Sequence, residues 1–261
     1  MKNDCAILIV SCDKYRDLWE PFFTTFWAQW PDCPFPVYLQ SNTVSYTGKF
    51  KKRVKNLLTG EDVNWSRSLK TTLGQFPEKY IFMWNEDLFL SSPISSALFS
   101  QYFSLMKKLA AKHIHYRCIP PADSVTENGA LGVYGRGMPY RSIVMGFWDK
   151  AYLASRLLDG ESPWQFEIMG SYRTSYDDGF FCATKEIIPF VHMAEKGKWQ
   201  YEGVKYCREH NIPITLSARG LSTQGYLKSQ VMKLYFNILL SLPWKSRLGV
   251  LNFFRKALVS Y

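Results

Sequence analysis

The stretch Glu78–Ser92, EKYIFMWNEDLFLSS, constrains this chain more than any other. Tyr80–Trp84 is a short apolar run of aromatic and β-branched residues, the pattern of a strand covered by helices on both faces. The run breaks on Asn85, Glu86 and Asp87, then resumes with Leu88, Phe89 and Leu90. Two adjacent carboxylates inside a core strand cost several kcal/mol if unpaired. They are tolerated where the strand surfaces at its carboxyl end, the edge at which open α/β sheets bind ligands. Oxygen ligands on a short turn suit Mg²⁺ or Mn²⁺, ions that also contact substrate phosphates. The competing reading is a capping pair at a strand-to-turn junction.

The remaining segments alternate between the same two patterns. Cys5–Val10 reads as a buried strand that ends in Ser11, Cys12, Asp13, Lys14 and Tyr15. Asp17–Trp30 carries Leu18, Phe22, Phe23, Phe26, Trp27 and Trp30 on a helical stripe. Prolines at 31, 34 and 36 break the chain, and Pro36–Leu39 reads as a second strand ending at Gln40, Ser41 and Asn42. Residues 43–60 read as a basic loop with a third strand of unassigned position. Asn64–Gln75 has an N-cap residue and Leu69 and Leu73 on one face, so it is expected to be helical. A helix is expected from Ser92 and Pro93 to about Lys112, and a strand over His113–Cys118. His113 and His115 share one face of that strand, and without a third nitrogen or sulfur ligand they read as structural. Glu127–Tyr140, with four glycines, reads as a mobile loop over the site. A strand over Ser142–Trp148, a helix over Lys150–Leu158, helical patterns over Ile187–Ala194 and Trp199–Glu209, and a strand or extended segment over Ile212–Leu216 complete the reading. Together they give an α/β domain with a mainly parallel sheet flanked by helices.

Six cysteines form no CxxC pair, so zinc is disfavoured and scattered free thiols of a reducing compartment are expected. The start of the sequence lacks signal-peptide order, and no apolar run is long enough to cross a bilayer. The net charge of +10 is uneven: beyond Glu209 seven basic residues follow with no acid. Because much of the excess lies in this tail rather than interleaved with exposed aromatics, a nucleic-acid partner is not expected. No GxGxxG, GxxxxGK[ST] or GxSxG follows a strand, which disfavours dinucleotide-binding, P-loop and α/β-hydrolase enzymes.

A first strand ending in SCDKY, then NWSRSL ahead of a strand carrying NED, resembles the nucleotide-binding half of GT-A glycosyltransferases. The later pieces GFWDKAYL, ESPWQFE, EKGKW and ARG resemble the acceptor half of bacterial transferases that build surface polysaccharides such as O-antigen, lipopolysaccharide or capsule. The resemblance covers residues 5–221. It implies a GT-A-like, Rossmann-like sheet, a nucleotide-sugar donor, a glycan or glycolipid acceptor and a divalent cation, Mn²⁺ or Mg²⁺. Asn85 stands where the family's first Asp is usual, which leaves Asp87 as metal ligand with Glu86 as its partner. Ser11, Asp13, Tyr15, Asn42, Trp65, Ser66 and Lys70 are the expected donor-binding residues. Glu167, which follows Trp164 and Phe166 in SPWQFE, is the expected catalytic base, with Asp177 and Asp178 as competitors; apolar surroundings raise a carboxyl pKa into the working range. A non-catalytic glycan-binding or scaffold protein on the same fold is the alternative.

The expected organisation is a glycosyltransferase domain over 1–225, with a nucleotide-sugar half at 1–92 and an acceptor half at 93–225, followed by a basic amphipathic tail at 226–261. Pro243 is expected to split the tail into two short helices, each too short to span a bilayer. A basic face beside Trp and Phe suits an anionic membrane surface. The expected location is therefore cytoplasmic and peripheral, on the inner face of the cell membrane.

Overall fold

The first strand, β1 (Cys5–Val10), is buried along its whole length, and its side chains divide between two cores. Cys5, Ile7 and Ile9 enter one cluster with Phe22, Phe26, Trp84 and Phe99. Ala6, Leu8 and Val10 enter the other with Leu69, Leu73, Met83 and Trp148. A strand can place alternate residues in two cores only if helices cover both faces of its sheet. The computed structural model, which describes residues 4–222, 234 and 237–258, shows that arrangement. Helices α1 (Arg16–Gln29) and α3 (Ser96–Lys108) cover one face, and α2 (Trp65–Leu73) and α4 (Lys150–Arg156) cover the other.

In chain order the further strands are β2 (Val37–Ser41), β3 (Val54–Leu58), β4 (Tyr80–Asn85), β5 (Leu88–Leu90), β6 (His113–His115), β7 (Ser124–Val125), β8 (Leu131–Val133), β9 (Gly146–Asp149), β10 (Phe180–Ala183), β11 (Phe190–His192), β12 (Ala194–Glu195) and β13 (Lys198–Trp199). The main sheet runs β3-β2-β1-β4-β9-β6-β10-β8-β7. Its first four strands are parallel. Strand β9 lies antiparallel between β4 and β6, and β6 pairs with β10 in parallel. This is the mostly parallel, helix-flanked, Rossmann-like architecture the sequence pattern leads to. Gly146 opens β9 with φ at 146°, and a Cβ there would stand 2.5 Å from the Ile114 carbonyl oxygen, so the close crossing of β9 and β6 requires glycine.

Five local expectations are corrected. The helix after the central strand starts at Ser96, where Ser95 caps it by accepting a hydrogen bond from Leu98 N. Ile187–Ala194 is not helical: β11 pairs antiparallel with β5, with Val191 opposite Phe89. Its apolar residues fit a helical period, but pairing with the unpartnered β5 overrides that local preference. Residues 127–140 do not form a lid: β7 and β8 close the far edge of the main sheet, and Tyr134 is buried there. No strand forms over 212–216; a 3-10 turn at Leu216–Ala218 follows instead. Cys118 and Cys182 form a disulfide, so the expectation of free thiols fails for that pair. The two residues are 64 apart in sequence, a separation that only the sheet topology makes short.

Part of the tail lies outside the described residues. In the part that is described, a turn and Pro243 separate a helical segment at 237–240 from the helix Trp244–Leu258. Arg247 pairs with Asp123 at 2.6 Å, Leu248 packs over Gly137, and Leu239 is buried. Tyr172 donates a hydrogen bond to Asn252. One face of the tail thus docks on the domain, while Leu234, Ile238 and Phe253 stay exposed. No helix of the described residues is long and apolar enough to cross a membrane.

Candidate active site

A cavity of about 490 Å³ opens at the carboxyl ends of β1, β2 and β4. Its floor is rigid for identifiable reasons. Phe22 packs edge-on against Trp84 and Phe89, with ring centroids 5.9 and 6.0 Å apart. The Trp84 indole donates to the Leu88 carbonyl at 2.9 Å, which clamps the turn carrying Glu86 and Asp87. Met193 N donates to the Asp87 carbonyl at 2.7 Å, which ties the same turn to the segment after β11.

Ser11, Tyr15, Asn42 and Trp65 line one end of the cavity, together with Cys12, Gln40 and Asp62. The Ser11 hydroxyl accepts from the Trp19 indole at 2.7 Å. Tyr15 lies under the Arg219 guanidinium at 4.2 Å, and Arg219 is itself fixed by Asp17 at 2.6 Å. Trp65 packs on Phe166 at 5.6 Å, linking this end of the cavity to the other. Three of the expected donor-binding residues are not among those that line the cavity. Asp13 accepts hydrogen bonds from the amides of Asn42, Thr43 and Val44 and from the Thr43 hydroxyl, and so braces the loop after β2. Burial works upward on its pKa, but those hydrogen bonds outweigh it and hold the carboxyl below its usual value. Ser66 is buried and donates to Asn64 at 2.9 Å. Lys70 stands exposed on α2.

Glu86 and Asp87 both line the cavity but differ in state. Glu86 is buried, and burial, reinforced by the charge of Asp87, raises its pKa well above the carboxylate range; Ser11 and Arg219 act in the opposite sense without cancelling it. Asp87 Oδ2 lies 3.4 Å from His192 Nε2, and Asp87 Oδ1 is buried with no hydrogen-bond partner. Burial pulls the His192 imidazole down, but the hydrogen bond and charge of Asp87 more than offset it, and its pKa is raised. An orphaned carboxylate oxygen beside an imidazole fits a divalent cation, which would displace the imidazole proton. Among the described residues no cluster of three or more such side chains is arranged to hold a metal.

Across the cavity stands Glu167, on a π-helical turn Phe166–Gly170 between the short helices Pro163–Gln165 and Ser171–Arg173. π-turns re-aim a side chain that a regular helix would place elsewhere. Burial pushes the Glu167 carboxyl up to about 7, against a lowering hydrogen bond that its Oε1 accepts from Val144 N at 3.2 Å. Trp164 and Arg117 line the same cavity. Asp177 and Asp178 do not line the cavity: Asp177 takes a hydrogen bond from Tyr152 and Asp178 pairs with Arg136.

The sequence reading missed His192, Arg117 and Lys196. His192 and Lys196 lie at and just beyond a segment read as a helix, and pairing of β11 with β5 is what delivers His192 to Asp87. Arg117 stands two residues past β6, and the expected strand over His113–Cys118 enclosed it, so no polar stop marked it as a site residue.

No protein-family model matches the sequence, and no curated protein matches it. Among solved structures, S. aureus TarS residues 1–349 is 9% identical, with 69% of this chain and 60% of that chain covered and a TM-score of 0.44. The mannosyltransferase PcManGT from Pyrobaculum calidifontis, in complex with GDP-Man and Mn²⁺, is 10% identical, with 100% and 77% covered and a TM-score of 0.49. The bifunctional IspDF from Campylobacter jejuni is 12% identical, with 72% and 52% covered and a TM-score of 0.42. The chain therefore spans about three-fifths of the length of that TarS structure.

Proposed function

We propose that this chain is a glycosyltransferase that moves a sugar from a nucleoside-diphosphate donor to a hydroxyl of a growing, lipid-linked bacterial surface glycan. The observation that carries the reading is one cavity lined by two carboxyl groups in chemically distinct surroundings. Asp87 sits beside His192 on the sheet edge, and Glu167 has its pKa raised to about 7. A catalytic base works best when its pKa lies near the working pH. In an inverting transfer Glu167 takes the acceptor hydroxyl proton as the oxygen attacks the anomeric carbon, and the bond to the diphosphate breaks with its electron pair leaving on the phosphate oxygen. Ser11, Tyr15, Asn42 and Trp65 hold the nucleoside, and Tyr15 is kept in place by Arg219. A divalent cation, Mn²⁺ or Mg²⁺, held by Asp87 and His192, with Glu86 beneath, would neutralise charge on the leaving diphosphate.

The acceptor's lipid places the enzyme at an anionic membrane surface on the cytoplasmic side. Exposed Leu234, Ile238 and Phe253 on the tail, near Lys245, support this reading. Sedimentation with anionic vesicles at low salt tests it, with Ile238→Asp and Phe253→Asp expected to release the protein. Unchanged melting temperatures of the variants would show that a release reports on the membrane and not on folding. Equal retention of variants and parent, or retention of neither, removes the membrane claim.

The glycosyl-transfer reading is tested by a thermal-shift screen of UDP, GDP and CMP sugars with and without Mn²⁺, since ligands of the native state raise its melting temperature. A donor that raises it should lose that effect in Asp87→Asn and keep it in Glu167→Gln. A donor that binds without ever being turned over or hydrolysed would point to a non-catalytic glycan-binding protein.

A further inference from the structure

The arginines that the fold partly or wholly buries are, with one exception, held by carboxylates or backbone carbonyls; the exception is hydrogen-bonded instead to the Tyr116 side chain. Arg156, Arg173, Arg219 and Arg247 pair with carboxylates. Arg141 donates to the carbonyls of Gly135 and Asp177. Arg117 is the exception. Its guanidinium lies against the rings of Tyr116 and Phe190, at 5.0 and 5.5 Å. Its Nε is buried without a hydrogen-bond partner, and among the described residues no carboxylate stands at ion-pair distance from it. Arg117 is half-buried and faces the cavity with no carboxylate to neutralise it, so it is placed to take an anion that arrives from outside.

Its position says which part of a substrate that anion belongs to. Arg117 follows the carboxyl end of β6, and β9 separates β6 from β4. Two strand spacings put the end of β6 about 10 Å from the carboxylate turn after β4. A donor diphosphate belongs at the Asp87 turn. Arg117 instead lines the cavity next to Tyr116, a residue close enough to Glu167 to feel its charge, and Trp164 lines the same cavity. Trp164 is 50% exposed, offering a ring face for a sugar, and Lys196 stands over that ring at 5.9 Å as a second cation at the rim.

Resting on the glycosyltransferase reading, we propose that the acceptor is anionic, and that Arg117 binds a carboxylate or phosphate carried on or next to the sugar that receives the new bond. The planar fork of arginine suits both groups, and ring contacts on Tyr116 and Phe190 fix its plane before the acceptor arrives. Specificity follows from this: a neutral acceptor would leave Arg117 without a counter-charge.

The test measures binding of three probes to the full chain at low salt by NMR titration: methyl β-glucuronide, glycerol 1-phosphate and methyl β-glucoside. At least one anionic probe should bind about tenfold more tightly than the neutral glucoside, and which one does so identifies carboxylate or phosphate as the source. Arg117→Gln should erase the preference and Arg117→Lys should keep part of it, while UDP, GDP or CMP binds all three proteins alike. Equal binding of the three probes, or no binding of either anion, overturns the proposal. So does a loss of nucleotide affinity in Arg117→Gln, which would make Arg117 a donor clamp. If no nucleotide binds the parent protein, the glycosyltransferase reading falls, and the probe preference still decides whether Arg117 is an anion site.

Discussion

The two ends of the cavity are built by different means. The end formed by β1, β2 and β4 is made of parallel strands whose side chains stop being apolar where the strands surface, so its residues follow one another closely in sequence. The opposite end is assembled from the segment after β6, a π-helical turn, and β11, none of which announces itself by period. The first end is a property of a strand, and the second is a property of a topology. Its functional groups are brought in by pairings such as Val191 with Phe89, at a sequence distance that no local pattern spans.

The comparison breaks most visibly at Asp87, where the two ends meet through His192. Asp87→Asn keeps the shape of the turn, which rests on the Trp84–Leu88 and Met193–Asp87 backbone contacts. It removes the charge. Sugar transfer should fall by about a thousandfold, the effect expected when the several kcal/mol supplied by a Lewis acid are lost. Retention of Mn²⁺-stimulated transfer in this variant would show that the turn's carboxylate is structural.

Glu167→Gln isolates the opposite wall. Turnover should drop by about a hundredfold, the lower end of what a positioned base contributes, with the donor-induced melting shift unchanged. In the parent protein turnover should rise with pH up to about 7, as the carboxyl ionises, and level off above it. Stability runs the other way. A carboxyl whose folded pKa is raised binds more protons folded than unfolded between its ordinary value and about 7. Its contribution is present below the ordinary glutamate pKa and is lost as pH rises through about 7. Glu167→Gln should therefore flatten both profiles, and melting curves from pH 4 to 8 alongside rates would show whether one group governs them.

His192→Ala asks whether the topology-built end matters to the sheet-built one. Even outer partners of a bound ion typically change its affinity by about 10–100-fold, so loss of a direct ligand should raise the Mn²⁺ concentration needed for half-maximal transfer by at least about tenfold. An unchanged requirement would leave Asp87 alone with the cation and sever the link between the two ends.

How far the sequence could be read follows the same division. The strands at Cys5–Val10 and Tyr80–Asn85, the N-cap at Asn64 and the placing of Ser11, Asn42 and the Glu86–Asp87 turn at one edge were legible, because burial on both faces and an abrupt polar stop leave few alternatives. Glu167 was reached through its aromatic neighbours, yet the π-turn that aims it was not foreseen. Ile187–Ala194 was unreadable as a strand, because its partner β5 is three residues long and carries no alternation to match. The disulfide between Cys118 and Cys182 escaped for the same reason: β6 and β10 are neighbours in the sheet and 64 residues apart at the bridge in the chain.

The smallest expected effects lie inside the legible half, where residue type suggested more than position delivers. Asp13 and Lys70 have the chemistry of a donor site, one a carboxylate after β1, the other a cation on the helix that leads into the central strand. The structure spends Asp13 on amides of the loop at 42–44 and leaves Lys70 in water. Lys70→Ala should change the donor KM by less than about twofold, because an exposed charge in high dielectric contributes at most about 1 kcal/mol to a nearby anion and usually far less. Asp13→Asn should lower stability by about 1 kcal/mol, since an amide oxygen accepts from backbone N–H groups less strongly than a carboxylate does. Its effect on donor affinity should be no larger than that of Lys70→Ala, provided the loop holding Asn42 stays in place; melting curves taken beside the KM values separate the two. A tenfold rise in KM at unchanged melting temperature in either variant would mean that the donor reaches beyond the cavity wall, and that the sequence had the boundary of this end right where the geometry draws it too tightly.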